Sequence, residues 1–176
     1  ELAPHAYDDA PLPIGDGQTI SQPYVVAMTV QALQLKGHER VLEIGTGSGY
    51  AAAILGSLVR EVETIERIEA LASAATDRLA RLGFTHVHVH HGDGTLGWPP
   101  GAPYEAIAVA AGAPRPPQPL LDQLAIGGRL VLPHGDADHQ QLARITRHDV
   151  DRFDEENLGE VRFVPLVGAE GWPESG

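Results

Sequence analysis

An α/β fold is predicted, with a mainly parallel seven-stranded sheet, helices on both faces and an antiparallel C-terminal hairpin. Three observations predict it. From residue 40 onward, short apolar runs alternate with helical patterns, as in a parallel sheet joined by crossover helices. The first run, Val41-Leu42-Glu43-Ile44, breaks directly into Gly45, Gly47 and Gly49. Glycines at a strand-to-helix turn let the chain bend tightly and let a ligand approach the backbone. Acidic residues, Glu66 and Asp93, stand at the ends of the next two runs, and open α/β sheets bind ligands beyond the carboxyl ends of their strands.

The elements follow in order. Residues 1–18 carry Pro4, Pro11, Pro13, Gly15 and Gly17, which interrupt regular structure, so a covering loop is expected over residues 1–22. A helix is expected from Ser21, read as its N-cap, with Pro23 tolerated in the first turn. It runs to about Leu35 with Val26, Val30 and Leu33 on its apolar side, and Lys36-Gly37-His38 ends it. Arg40 to Ile44 is the first strand and Tyr50 to Leu58 the helix after it. Val62 to Glu66 is the second strand, and Ile68 to Leu82 an alanine-rich helix closed by Gly83. Val87 to His91 and Ala106 to Ala110 are the third and fourth strands. Pro119 to Leu124 reads as helical, and Arg129 to Leu132 as the fifth strand. Leu142 to Thr146 and Val161 to Leu166 form the closing pair, joined by a loop holding the acidic run Asp149 to Glu156. No repeat or linker divides residues 1–176, and a single domain is expected.

Composition narrows the function. The net charge of −12 disfavours a nucleic-acid partner, because a generally acidic surface repels phosphate backbones. There are 0 cysteines, so disulfides, thiolate metal sites and cysteine nucleophiles are excluded. No apolar run is long enough to span a bilayer. The first residues carry no signal-peptide pattern, so a cytoplasmic location is expected, and no membrane partner. A monomer is expected. His86, His88, His90 and His91 cluster at the third strand, His86 directly before it. His86, His88 and His90 share a face there, but no carboxylate spacing completes a metal site, so a polar strand face is expected and no metal.

The glycine loop reads Glu-x-Gly-x-Gly-x-Gly. A dinucleotide loop would place its third glycine at position 50, which is Tyr50. The pattern resembles the first motif of the class I S-adenosylmethionine-dependent methyltransferases. That resemblance implies their Rossmann-like fold, with Glu43, Gly45, Thr46, Gly47 and Gly49 around the amino-acid end of the cofactor. Glu66, with Arg67 beside it, is placed to accept the ribose hydroxyls. Asp93, flanked by Gly94, can accept from an adenine amine. Taken singly, Glu66 also reads as a strand-end charge and Asp93 as a turn former; their placement after successive strands favours the cofactor.

A more specific likeness begins earlier. Ala6-Tyr7-Asp8-Asp9-Ala10-Pro11-Leu12-Pro13-Ile14-Gly15 and Gln18-Thr19-Ile20-Ser21-Gln22-Pro23 resemble the signature of the protein-L-isoaspartate O-methyltransferase family. The likeness extends through Gly92-Asp93-Gly94, Gly97-Trp98-Pro99, Ala111-Gly112-Ala113-Pro114, Gly127 to Val131 and Val161 to Leu166. It implies methylation of the α-carboxylate of L-isoaspartyl residues in damaged proteins, followed by non-enzymatic closure to a succinimide. It makes Ser21 the active-site residue and lays Ile14, Gly15, Gln18 and Ser21 over the cofactor's reactive end. Thr19, Ile20 and Ser21, with Val164, Leu166 and Val167, would then meet the peptide substrate. The family's usual helical segment before the Ala-Tyr-Asp string is largely absent from this sequence.

The chemistry fits. A carboxyl group of pKa about 4 is already an anion at neutral pH and needs no general base. Alignment then supplies most of the rate. A hydroxyl such as that of Ser21 can donate to the carboxylate oxygen that is not attacking, although a helix cap alone would also explain it. Two alternatives stand beside repair: methylation of aspartate in one dedicated, ribosomally made peptide, and a weakly catalytic domain that binds cofactor or peptide.

Overall fold

The computed structural model describes residues 3–5, 8–136 and 138–174; Ala6 and Tyr7 of the signature string lie outside the described residues. The strands are β1 (Leu12–Gly15), β2 (Gln18–Ile20), β3 (Arg40–Ile44), β4 (Glu61–Glu66), β5 (Val87–His91), β6 (Tyr104–Val109), β7 (Leu124–Gly135), β8 (Gln140–Asp149) and β9 (Arg152–Val161). The helices are α1 (Pro23–Leu33), α2 (Tyr50–Gly56), α3 (Glu69–Arg81) and α4 (Gln118–Asp122).

Seven strands form one sheet in the order β5-β4-β3-β6-β7-β8-β9. The pairs from β5 through β7 are parallel, whereas β8 and β9 are antiparallel. The chain winds outward from β3 to β5, then returns to place β6 on the other side of β3. This reversal makes the β3/β6 junction the switch point, where the strand ends leave a crevice.

The central strands are apolar on both faces because both are covered. On one face Val41, Val62, Val87, Ala106 and Ala108 pack with Leu33, Ala52, Leu55 and Leu79, which α1, α2 and α3 supply. On the other, Leu42, Ile44, Ile65 and Ile107 pack with Tyr104, Leu120 and Leu124, joined by Trp98. Each large side chain removed from water in this way contributes about 1.5–3 kcal/mol. No helix among the described residues is long and apolar enough to cross a membrane.

Three elements depart from the sequence expectation. The covering loop contains a two-stranded hairpin, with Leu12 opposite Ile20, Pro13 opposite Thr19 and Gly15 opposite Gln18. Asp16 and Gly17 turn it with φ of 49° and 70°, the positive angles of the tightest hairpin turn. The Asp-Gly dipeptide was the legible signal, and the prolines are tolerated because this ribbon stands apart from the main sheet.

Second, Ser21 does not cap α1. Gln22 occupies the N-cap, makes no side-chain cap bond, and is followed by Pro23. The cap comes from outside the helix: Asp9 Oδ1 accepts from the Tyr24 amide at 3.0 Å, and Gln22 Nε2 donates to the Asp9 carbonyl at 3.2 Å.

Third, the acidic run is not a loop. Asp154, Glu155 and Glu156 lie on the edge strand β9, opposite Thr146, Ile145 and Arg144. Arg144 pairs with Glu156, and His134 with Glu155 at 2.9 Å. Charged side chains on an edge also discourage another chain from adding to the sheet. The last strand consequently ends at Val161, and residues 162–167 instead run back across the strand ends. There Gly112 N donates to the Val164 carbonyl and Leu166 N to that of Gly112, both at 2.8 Å.

Candidate active site

The glycine loop is held open by its own backbone. Gly45 has φ +94° and Gly47 φ +52°, angles that side-chain-bearing residues rarely adopt. A Cβ on Gly47 would stand 3.1 Å from Ile14 Cδ1, so the hairpin reaches down onto the loop and a side chain there would crowd Ile14. The loop is pinned to the neighbouring strand, with Gly45 N donating to the Ile65 carbonyl at 2.9 Å.

Glu66 closes β4 beside this loop and is only 7% exposed. Its Oε2 accepts from the Gly47 amide at 2.8 Å and its Oε1 from the Ile68 amide at 2.9 Å. Each oxygen retains a further lone pair, so the carboxylate can hold the loop and still accept from a ligand hydroxyl.

A cleft opens over these groups. Ile14, Gln18, Thr19, Ile20 and Ser21 line it from the hairpin and its exit, and Gly45, Thr46 and Gly47 from the glycine loop. Glu66, Arg67 and Gly94 line it from the ends of β4 and β5, and Val164, Leu166 and Val167 from the returning segment. Sequence reasoning missed Ser48, Tyr50, Ile68, Leu71, Ala110, Ala111 and Pro165, which also line it. Ala110 and Ala111 directly follow β6, the strand across the switch point, so the rule that ligands bind at strand ends would have found them.

Four expected cofactor contacts lie away from the cleft lining, and each has a physical reason. Gly15 faces open space at the hairpin bulge. Gly49 packs at the start of α2, where a Cβ would meet Leu79 at 3.4 Å. Glu43 points into the core beneath α1 and is 1% exposed. Thr64 Oγ1 donates to Glu43 Oε2 at 2.5 Å and lies 2.6 Å from Thr46 Oγ1. Burial pushes the Glu43 carboxyl up to about 8, against the Thr64 hydrogen bond and with the nearby Glu66 charge adding to the rise. The Thr64 and Thr46 hydroxyls thus link Glu43 by hydrogen bonds to the cleft, which Thr46 lines.

Asp93 is occupied elsewhere. Its Oδ1 accepts from the Thr95 amide at 2.9 Å and hydroxyl at 2.7 Å, and its Oδ2 accepts from the Ala169 amide at 2.8 Å. Partial burial pushes its carboxyl up, but these bonds outweigh it and hold the group below the usual range. Asp93 thus anchors the C-terminal segment. Trp172 anchors it too, through Nε1 to the Gly112 carbonyl at 2.9 Å and its amide to the Leu166 carbonyl at 2.8 Å. These ties fix the wall formed by Val164 to Val167.

Beside the cleft lies a roomier hollow, about 630 Å³ against about 150 Å³. Tyr24, Met28, Arg162 and Phe163 help to line it, and Thr19, Ser21, Ala110 and Val164 border both spaces. Ser21 therefore stands where the two meet.

Residues 1–171 match the family described as Protein-L-isoaspartate(D-aspartate) O-methyltransferase (PCMT). The chain belongs to that family. It is 64% identical over 168 residues to Protein-L-isoaspartate O-methyltransferase 1 of Rhodopseudomonas palustris (strain HaA2), covering 95% of this chain and 69% of the relative. It is 60% identical to Protein-L-isoaspartate O-methyltransferase 2 of Marinobacter nauticus, covering 96% and 77%. A solved protein-L-isoaspartate O-methyltransferase superposes with TM-score 0.89 at 30% identity, covering 96% of this chain and 56% of that one. A Plasmodium falciparum protein assigned to the same activity, solved in complex with S-adenosyl-L-homocysteine, superposes with TM-score 0.78 at 27% identity, covering 92% and 81%. The family's members are methyltransferases, and the Rossmann-like fold expected from the motif is the fold observed.

Proposed function

We propose that this chain methylates the α-carboxylate of L-isoaspartyl residues in damaged proteins and peptides. The observation that carries the reading is the position of Ser21, which borders both the cleft and the wider hollow. Family membership supports the activity, and the relatives' names carry the substrate class.

The cleft fits S-adenosylmethionine. Gly45 and Gly47 present bare backbone, Glu66 presents a carboxylate with free lone pairs, and Ile68 and Leu71 present apolar surface. When bound, this cofactor supplies a methyl carbon activated by its sulfonium. The chain's own residues bind and orient. Glu66 accepts from the ribose hydroxyls, and the bare backbone of Gly45 and Gly47 lets the amino-acid end of the ligand come close. Ile14 and Ile20 cover the cleft from the hairpin and exclude water. Arg162 gives the hollow a cation that draws in a carboxylate. The Ser21 hydroxyl donates to one carboxylate oxygen and leaves the other free to attack. No group need take up a proton, because the carboxylate is already ionised.

The same reading makes the chain a single-domain, monomeric, cytoplasmic enzyme that transfers methyl without a metal. It acts on peptide and not on nucleic acid, which the net charge of −12 supports. The test is labelled methyl transfer to matched isoaspartyl and aspartyl peptides. Labelling of the isoaspartyl peptide alone is expected. Equal labelling of both, or saturated cofactor binding with no transfer, would overturn the reading.

A further inference from the structure

The histidine cluster at β5, counting His86 directly before it, resolves into two kinds of residue. His86 Nε2 bonds the Gly56 carbonyl at 2.7 Å and His91 Nε2 the Arg67 carbonyl at 3.1 Å. Both are committed to backbone. His88 and His90 instead face Glu61 and Glu63, because the parallel register sets Glu63 opposite His88 and puts all four side chains on one face of the β4–β5 pair. The sequence alone offered no carboxylates to this cluster; the neighbouring strand supplies them.

We propose that Glu61, Glu63 and His88 form a site for a divalent transition ion of the zinc type, with His90 bracing Glu63. One ligand atom from each of the three lies within 4.8 Å of the others. His88 Nε2 is 3.7 Å from Glu61 Oε1, too far for a hydrogen bond. Two ligands on a tetrahedral zinc ion, each about 2.0–2.2 Å from it, stand roughly 3.4 Å apart. The pair is thus already near the spacing of neighbouring ligands.

The surroundings orient these ligands. Arg40 Nε donates to Glu61 Oε2 at 2.8 Å, and Arg40 Nη1 donates to the Gly101 carbonyl at 3.0 Å. Arg40 therefore fixes Glu61 by one oxygen and leaves the other toward His88. His90 Nε2 lies 2.5 Å from Glu63 Oε2, and its ring stacks on Trp98 at 3.8 Å. The Trp98 carbonyl in turn accepts from the buried Tyr104 hydroxyl at 2.6 Å. A partner that holds a ligating carboxylate in place is what a metal site needs around its ligands.

One imidazole and two carboxylates suit zinc or cobalt. Magnesium and calcium prefer all-oxygen cages. Three protein ligands leave one position for water. The site lies toward the amino-terminal end of β4, whereas Glu66, at the other end, lines the cleft. Its action is therefore separate from methyl transfer: it clips the edge strand β5 to β4.

The test is calorimetric titration of the metal-free chain with zinc chloride, alongside thermal unfolding and the visible spectrum of the cobalt form. One zinc per chain, a raised unfolding temperature and a tetrahedral cobalt spectrum are expected, with no response to magnesium. His88→Gln should abolish the binding, and His90→Ala should weaken it by about tenfold. His148→Gln, which disrupts a histidine–aspartate pair elsewhere on the surface, should change nothing. Absence of zinc binding would overturn the proposal. So would an equal response to magnesium, or zinc binding that survives His88→Gln in a chain with an unchanged circular dichroism spectrum.

Discussion

The Glu66 carboxylate accepts a hydrogen bond from the Gly47 amide at 2.8 Å, joining the end of β4 to the glycine loop after β3. Its other oxygen takes the Ile68 amide, so one buried side chain sets the shape of the loop and faces the cleft as well. Glu66→Ala should weaken S-adenosylmethionine binding by about 10- to 100-fold, since hydrogen bonds to a charged group contribute about 1.5–3 kcal/mol each. Glu66→Gln should fall between, because its single carbonyl can serve only part of this set. Calorimetry checks the order; equal affinity in all three proteins would remove Glu66 from the cofactor site.

Ser21→Ala should lower turnover by about tenfold or more while leaving cofactor affinity nearly unchanged. Ser21 makes no contribution as a helix cap, since Gln22 holds that position. A loss of turnover therefore reports on substrate orientation. Steady-state kinetics with an isoaspartyl peptide, paired with cofactor titration, separates the two; unaltered turnover would count against the assigned role.

Asp9→Ala removes the acceptor for the Tyr24 amide. A lost helix cap costs about 1 kcal/mol, and Asp9→Asn should recover most of it. The effect should appear as a lower denaturation midpoint. It should also appear as faster amide exchange in the first turn of α1, which a purely local loop effect would leave unmoved.

Glu43 supplies a pH dependence whose sign follows from linkage. Burial raises its pKa in the folded chain from an ordinary 4.5 to about 8. Between those values the folded state holds a proton that the unfolded state has released, so stability falls as pH rises through this window. Below pH 4.5 the penalty is absent, and above pH 8 it is constant. Glu43→Gln should abolish this component, worth on the order of a few kcal/mol. Denaturation midpoints at pH 5 and pH 8.5 check it: the wild type should lose more stability between them than the variant. An equal loss would mean that Glu43 is ionised in the folded chain.

Much of the sheet was legible in the sequence because its central strands are apolar runs, as Arg40–Ile44 shows, whose bounds were read as observed. The edge strand Val87–His91, with only Val87 buried, was also read with its observed bounds, from the alternation of valine and histidine. The hairpin went unread because its prolines signal a loop more loudly than Asp16-Gly17 signals a turn. The acidic strand went unread because edge strands need no apolar alternation once charges on β8 face them.

The sequence by itself determined the alternation of strands and helices from Arg40 to the fifth strand of the sheet and the glycine loop at the first strand end. It also carried the likeness that identifies the family, because these are properties of local pattern and spacing. Only the tertiary structure decided where each carboxylate points. Glu43 faces the core, Asp93 holds the C-terminal segment, Glu66 holds the glycine loop, and Glu61 and Glu63 stand beside two histidines. Those assignments depend on which strands lie side by side and on which hydrogen-bond donors the chain brings back from far away, and no local pattern encodes either.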